Sequence, residues 1–143
     1  MRPIRLLSLM FLLTLLTAVT ARAEDAAKFE GRWKMVKAEI AGQDVTGMVL
    51  NFVLEIKEGR YTVTQGDQKL DEGKIAIDAS AEPAKVDISP EKEGSPAKIL
   101  GIGRIVDGKA TFVLRIMGEQ RPTKFESDPN DTSIMIATYE RVQ

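Results

Sequence analysis

The residue types needed for common enzyme chemistry are sparse in this chain. It contains no cysteine and no histidine, so neither a Cys–His nor a Ser–His–Asp arrangement can form. Zinc sites built from Cys and His are excluded for the same reason. Acid–base chemistry would have to come from Asp, Glu, Lys or Tyr, and the carboxylate pairs Asp71/Glu72 and Glu91/Glu93 are the candidates. Neighbours in a strand point to opposite faces, and the second pair lies in a polar loop, so we expect no enzymatic activity.

Two polar segments near the C-terminal end contain groups that bind ligands in other proteins. Arg121 and Lys124 stand in the string Arg-Pro-Thr-Lys-Phe. They would face an anionic ligand at the mouth of a barrel, or Arg121 would instead bind carbonyl groups within a rigid connection. The run 127–131 is rich in oxygen ligands that suit Ca²⁺, but its spacing fits no recognised loop and Asx-Pro turns have the same composition. We favour the structural interpretation of both segments and expect no metal and no cofactor.

The first 23 residues have the three parts of a secretory signal peptide. Arg2 and Arg5 are followed by a 14-residue apolar run, Leu6–Val19, and then by the small-x-small sequence Ala21-Arg-Ala23. A bilayer-spanning helix needs about 20 apolar residues, so this run is too short for a membrane anchor. We expect cleavage after Ala23, export to the periplasm or out of the cell, and no stable membrane insertion of the mature chain.

The charge of the mature chain argues against nucleic acid as a partner. The leader contains three of the 20 basic residues and none of the 21 acidic ones, which leaves a mature net charge of about -4. A nucleic-acid-binding protein should instead show a basic face with aromatic residues nearby. Because no disulfide can form, the fold must be held by its core and its backbone hydrogen bonds alone.

Residues 24–143 read as one domain of short alternating segments separated by turns. In the segment Val49–Lys57, for example, Leu50, Phe52, Leu54 and Ile56 share one face. Eight such segments, with no amphipathic helix of useful length, predict an all-β fold. We predict an eight-stranded antiparallel up-and-down barrel, since closure removes exposed strand edges, with a two-sheet β-sandwich as the alternative.

The interior of such a barrel would contain the candidate ligand-binding residues. Four large apolar side chains on two strands either line a cavity or fill the core, since side chains alone can fill a barrel of eight strands. They are Phe52, Leu54, Phe112 and Leu114. Gly101 and Gly103 favour a cavity slightly, because an inward-facing glycine leaves volume unoccupied. Trp33, as part of the pocket floor, and Arg121, at the mouth, complete the candidate set.

The first strand carries the first of two family resemblances. Its apolar residues change face after Met35, which indicates either a β-bulge or partial cover of both faces. Gly31-Arg-Trp33 at its start resembles the Gly-x-Trp signature of the lipocalins. In that fold the tryptophan closes one end of the barrel and a late arginine packs across its ring. The resemblance implies these closing roles for Gly31, Trp33 and Arg141.

Nearly the whole mature chain also resembles a small lipocalin-like domain family of planctomycete bacteria, whose function is uncharacterised. The strings that carry this resemblance are Gly31–Val36, Tyr61–Val63, Val86–Pro90, Ile99–Ile102, Glu119–Ser127 and Tyr139–Arg141. The most specific of them is Arg-Pro-Thr-x-Phe, within 119–127. The chain departs from the family pattern near Leu114, where other members often have a cysteine. The resemblance implies the barrel fold and frequent export, and it implies no activity.

Two functions agree with this sequence. The first is an exported lipocalin-like binding module that holds a small apolar or amphipathic molecule in its barrel. The second is a non-enzymatic envelope or secreted interaction domain with a filled barrel core and an unknown protein partner.

Overall fold

The computed structural model describes residues 26–143, which form nine β-strands and one 3-10 helix. The elements are β1 (Gly31–Ile40), β2 (Gln43–Asp44), the 3-10 helix (Thr46–Met48), β3 (Phe52–Lys57), β4 (Arg60–Gln65), β5 (Gln68–Asp78), β6 (Ala84–Pro90), β7 (Ile99–Val106), β8 (Lys109–Arg115) and β9 (Ile134–Arg141). The signal peptide predicted for residues 1–23 lies outside the described residues. Within 26–143, no helix has the length and apolar character needed to cross a membrane.

Eight of these strands form a closed antiparallel barrel. From β3 to β9 each strand pairs with the next along the chain, and β1 pairs with both β3 and β9. The closing ladder runs from Trp33 opposite Arg141 to Ile40 opposite Met135. The remaining strand, β2, is a two-residue extension paired with the end of β1. The predicted eight-stranded up-and-down barrel is therefore confirmed, and the β-sandwich alternative is wrong.

The change of face in the first strand is a β-bulge. The register between β1 and β9 shifts between Met35 and Lys37, so Val36 is the additional residue on β1. Trp33 and Met35 are buried before the bulge, and Ala38 is buried after it. Because of this extra residue, Ala38 faces inward although it is three residues after Met35. The β-bulge, one of the two predicted explanations, is therefore confirmed.

The strand β3 begins later than the alternating pattern predicts. Asn51 has a φ of 66°, in the left-handed region that an extended strand does not enter. The extended conformation therefore starts at Phe52. Leu50 keeps 57% of its surface exposed, so the prediction that it shares the inward face of Phe52 and Leu54 is wrong.

A second, smaller apolar cluster lies on the outside of the barrel wall. Ile102 and Val113 pair across β7 and β8 and are 3% and 0% exposed, yet neither belongs to the inner core cluster. Because Phe112 faces that inner core, its neighbour Val113 must face outward. Residues 116–133, here termed the outer connection, link β8 to β9 and include the buried Pro122. We infer that the outer connection covers this face.

Candidate functional site

The barrel contains an apolar cavity of about 270 Å³. It lies toward the end of the barrel where β1 finishes and β3 begins, here termed the open end; the opposite end is termed the closed end. Four of the predicted ligand-binding residues line this cavity: Phe52, Leu54, Phe112 and Leu114. Two others do not line it: Trp33 lies at the closed end, and Arg121 lies on the outside of the barrel.

Trp33 belongs to the closed end. Its side chain is 0% exposed, and its indole Nε1 donates a hydrogen bond to the Phe29 carbonyl oxygen at 2.9 Å. The guanidinium carbon of Arg141 lies 4.2 Å from the centre of the Trp33 ring. The two terminal nitrogens of Arg141 donate to the carbonyl oxygens of Glu30, at 2.8 Å, and Lys28, at 2.6 Å. Trp33 therefore seals the barrel opposite the cavity, and it forms no part of the pocket floor.

Gly31 makes the close approach of Arg141 possible. Its φ is 120°, a conformation that favours glycine, and a Cβ atom at this position would lie 2.7 Å from Nη1 of Arg141. Gly31, Trp33 and Arg141, which the lipocalin resemblance assigned to barrel closure, thus lie together at the closed end.

The volume left by the two strand glycines is already occupied. A Cβ atom on Gly101 would lie 2.6 Å from Cδ2 of Leu114, and one on Gly103 would lie 3.0 Å from the ring of Phe112. These glycines admit the side chains of the neighbouring strand β8. The expectation that they indicate empty space is wrong, because the unfilled part of the interior lies beyond them, toward the open end.

An inward-facing carboxylate, Asp71, interrupts the apolar lining of the cavity. The ladder between β4 and β5 pairs Val63 with Asp71 and Thr64 with Lys69, so Leu70 is the additional residue of a β-bulge. Asp71 keeps the inward phase of Ile75, and the bulge adds Leu70 to the cavity lining.

Asp71 forms a hydrogen-bonded pair with Tyr61. The Tyr61 hydroxyl donates to Oδ2 of Asp71 at 2.9 Å, and Tyr61 is 4% exposed. Burial, followed by this hydrogen bond to a carboxylate, raises the pKa of Tyr61 well above its ordinary value. The pair therefore presents one neutral phenol and one carboxylate to the cavity.

Tyr139 supplies a further polar atom. It is 5% exposed, it lines the cavity, and its ring packs edge-on to Phe112 with the ring centres 5.8 Å apart. Burial raises the pKa of Tyr139. Among residues 26–143 no hydrogen-bond partner of its hydroxyl is found, although every fully buried side-chain polar atom described has one. Tyr139 is a lining residue of the cavity, so the cavity is the space in which a further hydrogen-bonding group could meet it.

Arg121 lies on the outside of the barrel. Its Nη1 donates to the carbonyl oxygens of Val86, at 3.1 Å, and Gly101, at 2.8 Å, and its Nη2 donates to Oδ1 of Asp87 at 2.6 Å. Partial burial disfavours the charged form of Asp87, but the hydrogen bond and charge of Arg121 outweigh this effect and lower the pKa of Asp87. Arg121 thus fastens the outer connection to β6 and β7 rather than binding carbonyl groups within the connection, and it does not line the cavity.

The oxygen-rich run 127–131 is a pair of turns. The Asp128 carboxylate accepts from the backbone N–H of Asn130, and the Asp131 carboxylate accepts from the backbone N–H and the hydroxyl of Ser133. The bonds from Ser133, and the charge of Arg115, lower the pKa of Asp131. Within the described residues, no three acidic side chains converge in an arrangement suited to a metal ion.

The sequence analysis missed the polar groups of the cavity and much of its rim. The missed rim residues are apolar side chains close to strand ends: Val49, Ile88, Ile99, Ile116 and Met135. For Ile88, the alternation of apolar and polar residues along 86–89 indicated an inward-facing side chain. Asp71 lies in phase with the inward-facing Ile75 and Ile77 along β5, so alternation did indicate its face, but its charge argued against an inward position.

Comparison with known proteins gives no family assignment. The chain matches no protein-family model, and no curated protein matches it.

Proposed function

We propose that this chain is an exported, lipocalin-like binding protein that holds a small apolar or amphipathic molecule at the open end of its barrel. The observation that carries the proposal is the cavity of about 270 Å³ with its largely apolar lining. Its size is close to the lower limit of about 300 Å³ for small-molecule pockets. A small molecule entering it would gain the burial of apolar surface without displacing side chains of the closed end.

The proposed role is non-enzymatic. General acid–base catalysis is most effective when a group that faces the substrate has a pKa near the operating pH. In the described lining Asp71 is the only carboxylate, and its partner Tyr61 has a pKa raised away from the neutral range by burial and by that carboxylate. Glu72 does not join Asp71 in the lining and instead binds Lys69 at 2.9 Å.

A second candidate function is protein interaction through the open end. Met48, Leu50 and Met117 are 78%, 57% and 60% exposed, and each is a chain neighbour of a cavity-lining residue, Val49 or Ile116. Exposed apolar side chains grouped at one end of a domain are typical of interaction surfaces. This observation favours a partner at the mouth, with or without a bound small molecule.

Native mass spectrometry of the protein purified from its own host tests the proposed function. We expect a retained small molecule in the wild-type protein. The variant Val63→Trp, which fills the cavity from β4, should lose it, whereas Thr62→Trp, at a neighbouring position outside the lining, should retain it. A wild-type protein without any retained mass, and without response to a broad panel of apolar compounds, would favour the interaction domain.

A further inference from the structure

The charges around the cavity restrict the chemistry of its occupant. Asp71 is the only Asp, Glu, Lys or Arg in the lining formed by the described residues. Asp71 is half-buried, and an anionic group placed beside it would meet a like charge and would find no cation in the lining to pair with. A neutral or cationic group would meet no such penalty.

Asp71 retains capacity to accept hydrogen bonds from a ligand. Oδ2 accepts from the Tyr61 hydroxyl, and Oδ1 accepts from the backbone N–H of Glu72 at 2.9 Å. A carboxylate offers about four acceptor positions, so roughly half of them remain for a donor inside the cavity. A primary amine or an alcohol is a donor of this kind.

Tyr139 independently indicates a polar atom in the occupant. Its hydroxyl has no partner among residues 26–143, and the residue is 5% exposed in the cavity lining. An occupant with a hydrogen-bonding group would pair with this hydroxyl, whereas a pure hydrocarbon would cover it and leave it without a partner.

We infer that the occupant is a neutral or cationic amphiphile, with a compact apolar body and an amine or alcohol group, and that the cavity discriminates against carboxylates such as fatty acids. This inference rests on the proposed function. A dry cavity of about 150 Å³ holds one benzene molecule, so a cavity of about 270 Å³ suits roughly 11 heavy atoms by the same proportion.

Three probes matched in heavy-atom number test the inference: decylamine, decan-1-ol and nonanoic acid. Their dissociation constants are measured by isothermal titration calorimetry with the purified protein at neutral pH. We expect decylamine and decan-1-ol to bind, each at least about tenfold more tightly than nonanoate, which corresponds to about 1.4 kcal/mol. Nonanoate binding as tightly as the amine would overturn the inference.

Variants at two neighbouring positions separate the cavity carboxylate from general surface charge. Asp71→Asn keeps an acceptor for Tyr61 but removes the negative charge. The dissociation constant of decylamine should therefore rise about tenfold, and that of nonanoate should fall about tenfold. Glu72→Gln removes the same charge outside the lining and should leave all three constants unchanged. A discrimination between amine and nonanoate that survives Asp71→Asn, or disappears in Glu72→Gln, would contradict the role of Asp71.

Two further variants complete the test. Tyr139→Phe should raise the dissociation constant of decan-1-ol about fivefold, the equivalent of one hydrogen bond. An unchanged constant would contradict the role of that hydroxyl.

Lys92, whose Nζ lies 3.5 Å from the Leu70 carbonyl oxygen, is a cation near the lining. A preference for nonanoate that Lys92→Gln abolishes would overturn the inference in favour of an anion at the rim.

The outcomes distinguish this inference from the function on which it rests. Binding of all three probes without any order by charge would leave the proposed binding function standing and would remove only the inferred ligand class. If none of the three probes binds, the inferred ligand class fails; the binding function fails with it only if native mass spectrometry also finds no retained molecule and the broad panel gives no response.

Discussion

Tyr61 and Tyr139 are the two tyrosines of the chain, and both lie inside the barrel. Each is no more than 5% exposed, and both line the cavity. Burial raises both pKa values, and in Tyr61 the adjacent Asp71 carboxylate raises the pKa further. A tyrosine that ionises freely in the unfolded chain but resists ionisation in the folded protein makes stability depend on alkaline pH.

We predict that the free energy of unfolding is unaffected by these groups below about pH 10 and falls above it. Raised pKa values mean that the folded state keeps protons that the unfolded state releases, so their contribution is lost as the pH rises above the unfolded pKa of about 10. Each tyrosine contributes a slope of about 1.4 kcal/mol per pH unit. Urea unfolding between pH 8 and 11, with tyrosinate absorbance of the native protein, measures both effects.

Phenylalanine variants provide the control for this prediction. Tyr139→Phe should remove about half of the alkaline slope, because one of the two groups no longer ionises. Appearance of tyrosinate absorbance in the folded protein near pH 10 would show that the phenols are accessible and would contradict their placement inside the barrel.

At the level of single residues, alternation predicted the apolar side chains better than the polar ones. Phe52, Leu54, Phe112 and Leu114 lie on regular strand segments, where a period of two assigns the inward face. Leu70 lies at a bulge, which is fixed by the pairing of two strands, so no pattern within β5 predicts that Leu70 lines the cavity. Asp71 keeps the phase of Ile75 and Ile77, but alternation alone does not predict that a charged residue occupies an inward position.

The strand β7 shows how packing between elements determines residue type. Gly101 and Gly103 alternate along its inward face, and the larger side chains of β8 occupy the space beside them. This pairing of small and large residues fills the wall between the two strands and lets the aromatic ring of Phe112 reach the core.

We predict that Gly101→Ala destabilises the protein by about 1–3 kcal/mol, the usual cost of overpacking. Its Cβ atom would lie 2.6 Å from the Val113 carbonyl oxygen, which is backbone and can move only with the strand. Gly47→Ala is the matched control, because no atom lies within 4 Å of that Cβ position, and it should be neutral or slightly stabilising. Equal midpoints of urea unfolding for the two variants would contradict the packing described for β7 and β8.

The outer connection is held against the barrel wall by hydrogen bonds from Arg121. Arg121→Ala should lower the free energy of unfolding by about 1–2 kcal/mol, because it removes hydrogen bonds from a charged donor to Val86, Gly101 and Asp87. Hydrogen exchange in residues 116–133 should accelerate in this variant. Lys124→Ala, at an exposed position of the same segment, should stay within about 0.5 kcal/mol of wild type. Unchanged exchange in Arg121→Ala would show that this anchor is dispensable.

The alternating pattern located the eight barrel strands but did not indicate where β3 begins or which segment covers the outer face of β7 and β8. The late start of β3 follows from the positive φ of Asn51, which its residue type permits but does not require. The burial of the outward-facing pair Ile102 and Val113 was not predicted, because the outer connection that covers them is not part of either strand. Eight alternating segments still sufficed to predict the closed barrel, since closure is the way in which such a meander hides both of its edges.

At the scale of the whole molecule, the two ends of the barrel differ in how their interiors are filled. The closed end is filled by Trp33 and Phe29 and is tied by Arg141, whereas the open end leads into the cavity. Buried aromatic side chains therefore fill the interior at one end, whereas about 270 Å³ is left unfilled toward the other. A domain that forgoes this much packing loses stability that an occupant of the cavity would restore.

The dependence of the melting temperature on decan-1-ol concentration tests the binding cavity most directly. A ligand that binds only the folded state stabilises it by RT ln(1 + [L]/Kd), so the melting temperature of the wild-type protein and of Thr62→Trp should rise steadily with concentration. Val63→Trp, in which the new ring occupies the cavity, should show no rise. A flat response in the wild type, or an equal rise in Val63→Trp, would contradict a ligand-holding interior.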